Sequence, residues 1–218
     1  MSSMYGDEHR ELQDRFDSRA LADTLEAVTV VPVVDEAAKA FIESRSYFFL
    51  STVDGDGQPT VSYKGGAPGF VRVVDDTTLV FPSYDGNGMY LSMGNIAGQG
   101  RIGLLFIDFE TPHRIRIHAD AELVTDGPLL DSYPGADLVV QATVSQSFVN
   151  CGRYIPKRAV PEATHHLPDA DGNVPLATWK RIDLLQDVLP GRDQGRAEAE
   201  ASTIDAEEYG KRVARGDV

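Results

Sequence analysis

The sequence predicts a mainly β fold, a small barrel or sandwich with flanking helices, on three observations. Between Tyr47 and Val124 about six short β-branched and aromatic segments recur, with turn signals roughly every ten residues. No amphipathic helix separates successive segments, which sets aside the βαβ units of a parallel sheet. A chain of 218 residues with a 42% apolar fraction can bury one core without disulfide or metal staples.

The first thirty residues read as helix. Leu12, Phe16, Leu21 and Leu25 recur among charges as a helical stripe with a break near Ser18. Asp35 is placed to cap a helix over 36–45, with Ala37, Ala38, Phe41 and Ile42 on one face. Tyr47–Val53 is short, aromatic and β-branched, and runs into Asp54-Gly55-Asp56-Gly57, where glycine supplies the positive φ of a tight turn. Residues 59–64 complete a hairpin, and Gly65-Gly66-Ala67-Pro68-Gly69 ends it. Residues 70–74 and 78–81 flank Asp75-Asp76 as a second hairpin. Arg101–Asp108 is nearly all apolar, the pattern of a buried central strand. Residues 114–118 alternate Arg with Ile, as a half-buried strand does, and 121–124 extend or follow them. Residues 127–134 are turn-rich, and 136–148 form a further strand of alternating polarity. Residues 161–175 read as loop. Past Gly191 the chain is polar and rich in Ala, Glu and Arg, which predicts a surface helix over 197–215.

Composition narrows the function. Lys and Arg total 20 against 34 Asp and Glu, a net charge of −14, and the isoelectric point is near 4.6. Nucleic-acid binding needs a basic face for the phosphates, and docking on anionic lipid needs basic clusters; neither is expected. Cys151 is the only cysteine, which excludes an intrachain disulfide and a Cys-rich zinc site and agrees with a reducing compartment. Residues 1–19 are polar and charged, unlike a secretory leader. No apolar run nears the roughly 18 residues of a spanning helix. The expectation is a cytoplasmic protein that meets neither nucleic acid nor membrane.

Two segments have the pattern of a ligand site. In 81–96 (FPSYDGNGMYLSMGNI), glycines and asparagines follow a strand and lead into a helix. Glycines let backbone N–H groups approach an anion, asparagine amides donate to phosphate or ribityl oxygens, and a helix start favours negative charge. A long polar turn is the plainer alternative. Ser62-Tyr63-Lys64-Gly65-Gly66 sets a lysine at a strand end beside two glycines. In so acidic a chain a phosphate needs such a local cation; the alternative is an exposed lysine beside a turn. Arg114 and Arg116 share one strand face and together can line a cleft for an anionic ring or phosphate. Glu162, His165 and His166 match no metal-binding helix spacing, and the Asp169–Asn173 run has its glycine misplaced for a calcium loop, so no metal is expected. Ser62 and Ser92 lie in no G-x-S-x-G motif, and neither a P-loop nor a Rossmann glycine pattern occurs.

A lead helix followed by YFFLSTVDGDGQPTVSYKGG (47–66), TLVFPSYDGNGMYLSMGNI (78–96) and RIGLLFIDFETPHRIRIHADAEL (101–123) resembles the FMN-binding split barrels of the pyridoxamine 5′-phosphate oxidase family. The resemblance covers residues 36–125 and reaches toward 158. It implies a homodimer of six-stranded barrels with FMN in a groove between subunits. Ser62, Tyr63, Lys64 and Gly65 then lie on the strand that flanks the flavin and its phosphate. Phe81 and Pro82 fall at backbone contacts to the isoalloxazine edge, Asn87 and Gly88 at the phosphate ligands, and Asn95 further along the same helix start. Arg114 falls where a side chain of the second subunit reaches the flavin.

Two departures from the family pattern matter. Asn87-Gly88 stands where basic residues are usual, which shifts weight for the phosphate onto Lys64. The acidic C-terminal region lacks the Trp- and Arg-bearing segment with which pyridoxamine phosphate oxidases hold their substrate, so that substrate is not expected. The implied activity is an FMN-dependent oxidoreductase with hydride passing through flavin N5 and Arg114 stabilising the reduced ring. The small-molecule redox substrate is left open, and Tyr63 and His118 are candidates for proton handling. A split barrel that binds a deazaflavin or haem, with His113, His118, His165 or His166 as axial ligand, and a non-catalytic flavin-binding protein are the alternatives. The expected layout is an N-terminal helical arm (1–34), a split-barrel flavin-binding domain (35–158) and a C-terminal loop and helical extension (159–218).

Overall fold

The computed structural model describes residues 4–84, 88–157 and 176–217. The chain divides into two compact units. One comprises Val31–Ile107 and Arg114–Asn150; the other comprises Met1–Val30, Asp108–His113 and Cys151–Val218.

The first unit is built on a single antiparallel sheet. Its strands are β1 (Tyr47–Val53), β2 (Pro59–Gly65), β3 (Arg72–Asp75), β4 (Thr78–Tyr84), β5 (Arg101–Asp108), β6 (His113–Val124) and β7 (Ala136–Asn150), in the order β2-β1-β5-β6-β7-β4-β3. The sheet has seven strands where the family resemblance implies six. The long β7 pairs with β6 from Val139 to Asn150 and with β4 from Ala136 to Thr143, and so joins both hairpin systems. Residues 121–124 continue β6 past a register shift between His118 and Ala119. β3 begins at Arg72, two residues later than predicted; Phe70 and Val71 are buried ahead of it.

The sheet curls strongly. Phe48 on β1 meets Phe81 on β4 edge-on, with ring centroids 5.0 Å apart, although β5, β6 and β7 lie between these strands in the sheet. Four flat inter-strand steps would separate them by roughly 19 Å at the usual 4.7–4.9 Å spacing. Phe70 and Phe106 complete an aromatic group around Phe48 at 5.9 and 5.1 Å. Alternate residues of every strand from β1 to β7 except β2 join this core: Leu50, Val73, Leu79, Leu104, Ile117 and Val140 are examples. β5 lies inside the sheet, third in order, yet its burial alternates from Ile102 to Phe106, with Ile102, Leu104 and Phe106 buried and Gly103 and Leu105 half-buried. An antiparallel sheet buries one face most fully, so pleat rather than overall apolarity decides.

Helices close the rim. α1 (Asp7–Arg15) and α2 (Arg19–Thr29) belong to the other unit. α3 (Glu36–Glu43) starts where Asp35 Oδ1 accepts the Ala38 N–H at 2.8 Å, the predicted cap. It buries Ile42 in the core, and Glu43 accepts the Val73 N–H at 3.0 Å, which pins the helix to the β3 edge. α4 (Leu91–Gln99) sets Met93 and Ile96 into the core at helical spacing. Gly100 ends α4 at φ 71°, a conformation that favours glycine. α5 (Pro128–Asp131) covers Val80, Tyr133 and Val139 on the other side of the sheet.

The second unit gathers α1 and α2, short 3-10 helices over 178–193, α6 (Arg196–Glu200) and α7 (Ala206–Arg215). Leu21 of α2 buries against Leu185 and Leu189, with Leu25, Trp179, Ile182 and Val188 around them. The predicted break near Ser18 falls at Asp17, whose φ is 51°. The single helix predicted over 197–215 is two: Ile204 bridges to Ile182 between them, and Asp205 caps α7 by accepting the Glu208 N–H at 2.7 Å. No helix among the described residues is long and apolar enough to cross a membrane.

Candidate functional site

A cleft of about 240 Å³ opens in the sheet unit between β2, the end of β4 and the start of α4. Thr60, Ser62 and Lys64 supply one wall, Ser83 and Tyr84 a second, and Gly88 to Met93 a third. The pleat of β2 explains the first wall. Side chains alternate in direction, so Thr60, Ser62 and Lys64 share a half-buried face while Tyr63 and Gly65 take the other. The second wall follows from strand length. β3 pairs with β4 only up to Val80, so the last residues of β4 run on with β7 alone beside them.

Specific polar contacts mark the cleft. Ser62 Oγ and Ser92 Oγ lie 2.5 Å apart, each able to donate to the other. Ser92 is itself buried, at 6% exposure. Burial pushes the Lys64 ammonium below the usual lysine range, because the charged form loses solvation. Tyr90, at the N-cap of α4, adopts φ 47° and ψ 26°, a left-handed conformation that costs a non-glycine residue roughly 1–2 kcal/mol. Its hydroxyl donates to Asp137 Oδ2 at 2.8 Å, which ties the cleft mouth to the start of β7. Met89 exposes apolar surface there, at 69%.

The predicted site residues separate into three groups. Ser62, Lys64 and Gly88 line the cleft, and Asn87 lies outside the described residues. The remaining positions are placed elsewhere. Tyr63 stacks on Tyr47 at 5.5 Å and meets Phe49 edge-on, on the opposite face of β2. Gly65 follows Tyr63 to that face, where a Cβ would come within 2.9 Å of its ring. Phe81 is fully buried in the aromatic core and Pro82 is buried beside it, each opposite a β7 valine; the next two residues reach the cleft instead. Asn95 donates its amide to the buried Thr52 hydroxyl at 3.0 Å, so it fastens α4 to β1. Arg114, the second residue of β6, pairs with Asn150 and is not among the side chains of this cleft. His118 lies on an exposed strand face, its Nδ1 3.0 Å from Gln146 Oε1 and its ring edge-on to Phe148. The His165, His166 and Asp169–Asn173 segment lies outside the described residues.

The family profile of pyridoxamine 5′-phosphate oxidase matches residues 34–166. The chain belongs to the pyridoxamine 5′-phosphate oxidase-like family. Its match spans all seven strands of the sheet unit. No curated relative matches the chain by sequence. Among solved structures, HupZ from Group A Streptococcus aligns at 21% identity and TM-score 0.45, covering 60% of this chain and 97% of that one. HutZ, the haem storage protein of Vibrio cholerae, aligns at 18% identity and TM-score 0.38, covering 53% and 94%. An FMN-binding protein of Syntrophomonas wolfei aligns at 13% identity and TM-score 0.39, covering 64% and 95%.

Ser83, Tyr84 and Ser92 line the cleft within the segment 81–96 that the sequence marks as a ligand site, whereas Thr60 also lines it and lies outside both marked segments. The period-two pattern of a strand was the available signal for Thr60: it shares a face with Ser62 and Lys64, whereas contiguous residues do not. The pairing of Ser92 with Ser62 has no local signal, because it depends on how α4 crosses the sheet.

Proposed function

We propose that this chain binds FMN in the cleft and works as a flavin-dependent oxidoreductase on a small-molecule redox substrate, as a homodimer. One observation carries the proposal. The half-buried Lys64 stands with Ser62 and Ser92 in a cleft whose other walls include Tyr84, Met89 and Leu91. A cation with hydroxyl donors suits a phosphate, and apolar and aromatic surface suits a flat ring system. When bound, FMN supplies hydride and electron transfer. The chain's own part is to bind and to orient. Lys64 neutralises the phosphate, Ser62 and Ser92 donate to its oxygens, and the side chains of Tyr84 and Met89 exclude water from the ring.

The homodimer rests on two features. The cleft, at about 240 Å³, is smaller than the roughly 300–1,000 Å³ of sites that enclose a drug-sized ligand, which suits a half-site that a second copy completes. The outer face of the β1–β2 hairpin carries Tyr47, Phe49 and Tyr63 in mutual ring contact, with Tyr63 63% exposed; such a surface favours burial against another chain. Arg114 of the second copy is then the group that reaches the flavin ring. A haem would find no histidine among the described residues of the cleft wall.

The absorbance spectrum of the purified protein, before and after adding FMN, tests the proposal. A flavin spectrum that persists through gel filtration is expected. A colourless protein that takes up no FMN, or a Soret band in its place, overturns it. Dilution should release flavin in step with dimer dissociation, and flavin retained by a proven monomer would contradict the shared site.

A further inference from the structure

We propose that Tyr90 and Asp137 are positioning residues: their hydrogen bond is a clasp that holds the first turn of α4 as a closed wall of the cleft, and so sets how fast the cleft takes up and releases its occupant. That the occupant is FMN rests on the flavin reading above. Two locally unfavourable features, on separate elements, meet at this bond. The first is on β7. Ser83 of β4 pairs with Leu138 and Tyr84 with Ala136, so Asp137 is an extra residue without a partner on β4. Such a bulge re-aims a side chain at the expense of the ladder, and aspartate is a poor strand residue. The second is on α4. An N-cap residue is usually extended, whereas Tyr90 holds φ 47° and ψ 26°, which is disfavoured for a bulky side chain. The Tyr90 hydroxyl donates to Asp137 Oδ2 at 2.8 Å. Tyr90 is 50% exposed and Asp137 is exposed, so the bond lies within reach of water and adds little to global stability. Departures from local preference gather where geometry serves function.

The residues around Tyr90 show what the clasp holds. Gly88 and Met89 precede it, Leu91 and Ser92 follow it, and all four line the cleft. Farther along, α4 is fastened by the core: Met93 and Ile96 are buried and Asn95 bonds Thr52. Met89, Tyr90 and Leu91 are by contrast half exposed or more. The Tyr90 carbonyl accepts the Gly94 N–H at 2.7 Å, so a change in the Tyr90 backbone reaches the first turn of the helix. With the clasp open, Tyr90 is free to return to an extended backbone, and the wall from Gly88 to Leu91 moves while the core-packed part of α4 stays. A closed wall slows passage in both directions, so the clasp acts on rates more than on affinity.

Two measurements on the full chain test the clasp, and one needs no ligand. In the ligand-free protein, hydrogen exchange over residues 88–94 should quicken about three- to tenfold in Tyr90→Phe and in Asp137→Ala, the range of one lost hydrogen bond, while β1 keeps its protection. Asp137→Asn retains an acceptor and should stay within about twofold of the wild type. The double variant Tyr90→Phe with Asp137→Ala should add little to either change alone. In stopped-flow mixing with FMN, read by flavin fluorescence, the two clasp-breaking variants should take up and release FMN faster by similar factors, so that Kd moves less than about twofold. Unchanged exchange in either variant overturns the clasp. Faster release with unchanged uptake also overturns it, because Tyr90 would then be a ligand contact and not a positioning residue. If exchange quickens as expected but no form binds FMN, the flavin reading falls and the clasp stands as the hold on the first turn of α4.

Discussion

The two compact units hold themselves together by different means. The sheet unit closes around a large apolar core, with Phe48 touching Phe70, Phe81 and Phe106, and carries a smaller cluster under α5. The helical unit is drawn from both ends of the chain. Among the described residues its apolar cluster buries Leu21, Leu185 and Leu189, and an ionic hub is added where buried Asp193 meets Lys180 and also lies 3.5 Å from Arg196. The difference bears on function. Left-handed non-glycine residues occur in both units, Asp17 and Tyr154 in the helical one and Tyr90 in the sheet unit, but Tyr90 stands at the cleft together with the desolvated Lys64. Sites that bind ligands commonly hold such strain.

The sharpest way to break this contrast is to attack the aromatic core. Phe48→Ala removes a fully buried ring from the centre of four phenylalanines. Aromatic truncation of this kind costs about 3–5 kcal/mol. Chemical denaturation should show that loss, together with loss of FMN binding, because β1 carries both α4, through Thr52, and β2. A loss below about 1 kcal/mol would mean that the core does not depend on this ring.

In the helical unit the corresponding test is ionic. Asp193→Ala leaves the Lys180 ammonium, whose side chain is only 13% exposed, without its carboxylate. Removing one partner of a buried pair costs about 3 kcal/mol or more, at the lower end here because Lys180 retains some contact with water. FMN affinity of the folded variant should not change, since every cleft residue comes from the sheet unit. If affinity falls with stability, the contrast between the units is wrong.

Much of the sheet unit was legible because strands announce themselves locally. Alternation in 114–118, the Asp-Gly turn at 54–57 and the Asp35 cap each depend on a few neighbouring residues, and each appears where the pattern puts it. The cleft was half legible. Lys64 stood out as a lysine beside glycines, but residues adjacent in sequence were assigned to the ligand together, and the pleat sends Tyr63 to the other face. Asn95 has the chemistry of a ligand residue, yet Thr52, distant in sequence, takes its amide. The helical unit was least legible. Residues 178–193 form short 3-10 turns whose order depends on Leu21 and Asp17 from the opposite end of the chain, and no local period encodes that contact.

Lys64 gives the smallest and most discriminating test, because its effects on stability and binding should have opposite signs. Burial lowers its pKa from the ordinary 10.5. Between the lowered value and 10.5 the unfolded chain holds more protons than the folded one, so the contribution of Lys64 to stability rises with pH across that window. Below the window the fold carries a partly desolvated ammonium. Lys64→Met keeps the stem and removes the charge. It should therefore match or slightly exceed the wild type in stability at neutral pH, with the difference closing as pH approaches 10.5. FMN affinity should fall by about 1.5–3 kcal/mol, the worth of a hydrogen bond to a charged group, while riboflavin affinity stays level. In the wild type FMN binding should weaken as pH rises through the lowered pKa of Lys64. Urea midpoints at several pH values, set beside FMN and riboflavin titrations, read both effects. A variant that loses stability at neutral pH, or keeps its FMN affinity, would show that Lys64 serves the fold and not the phosphate.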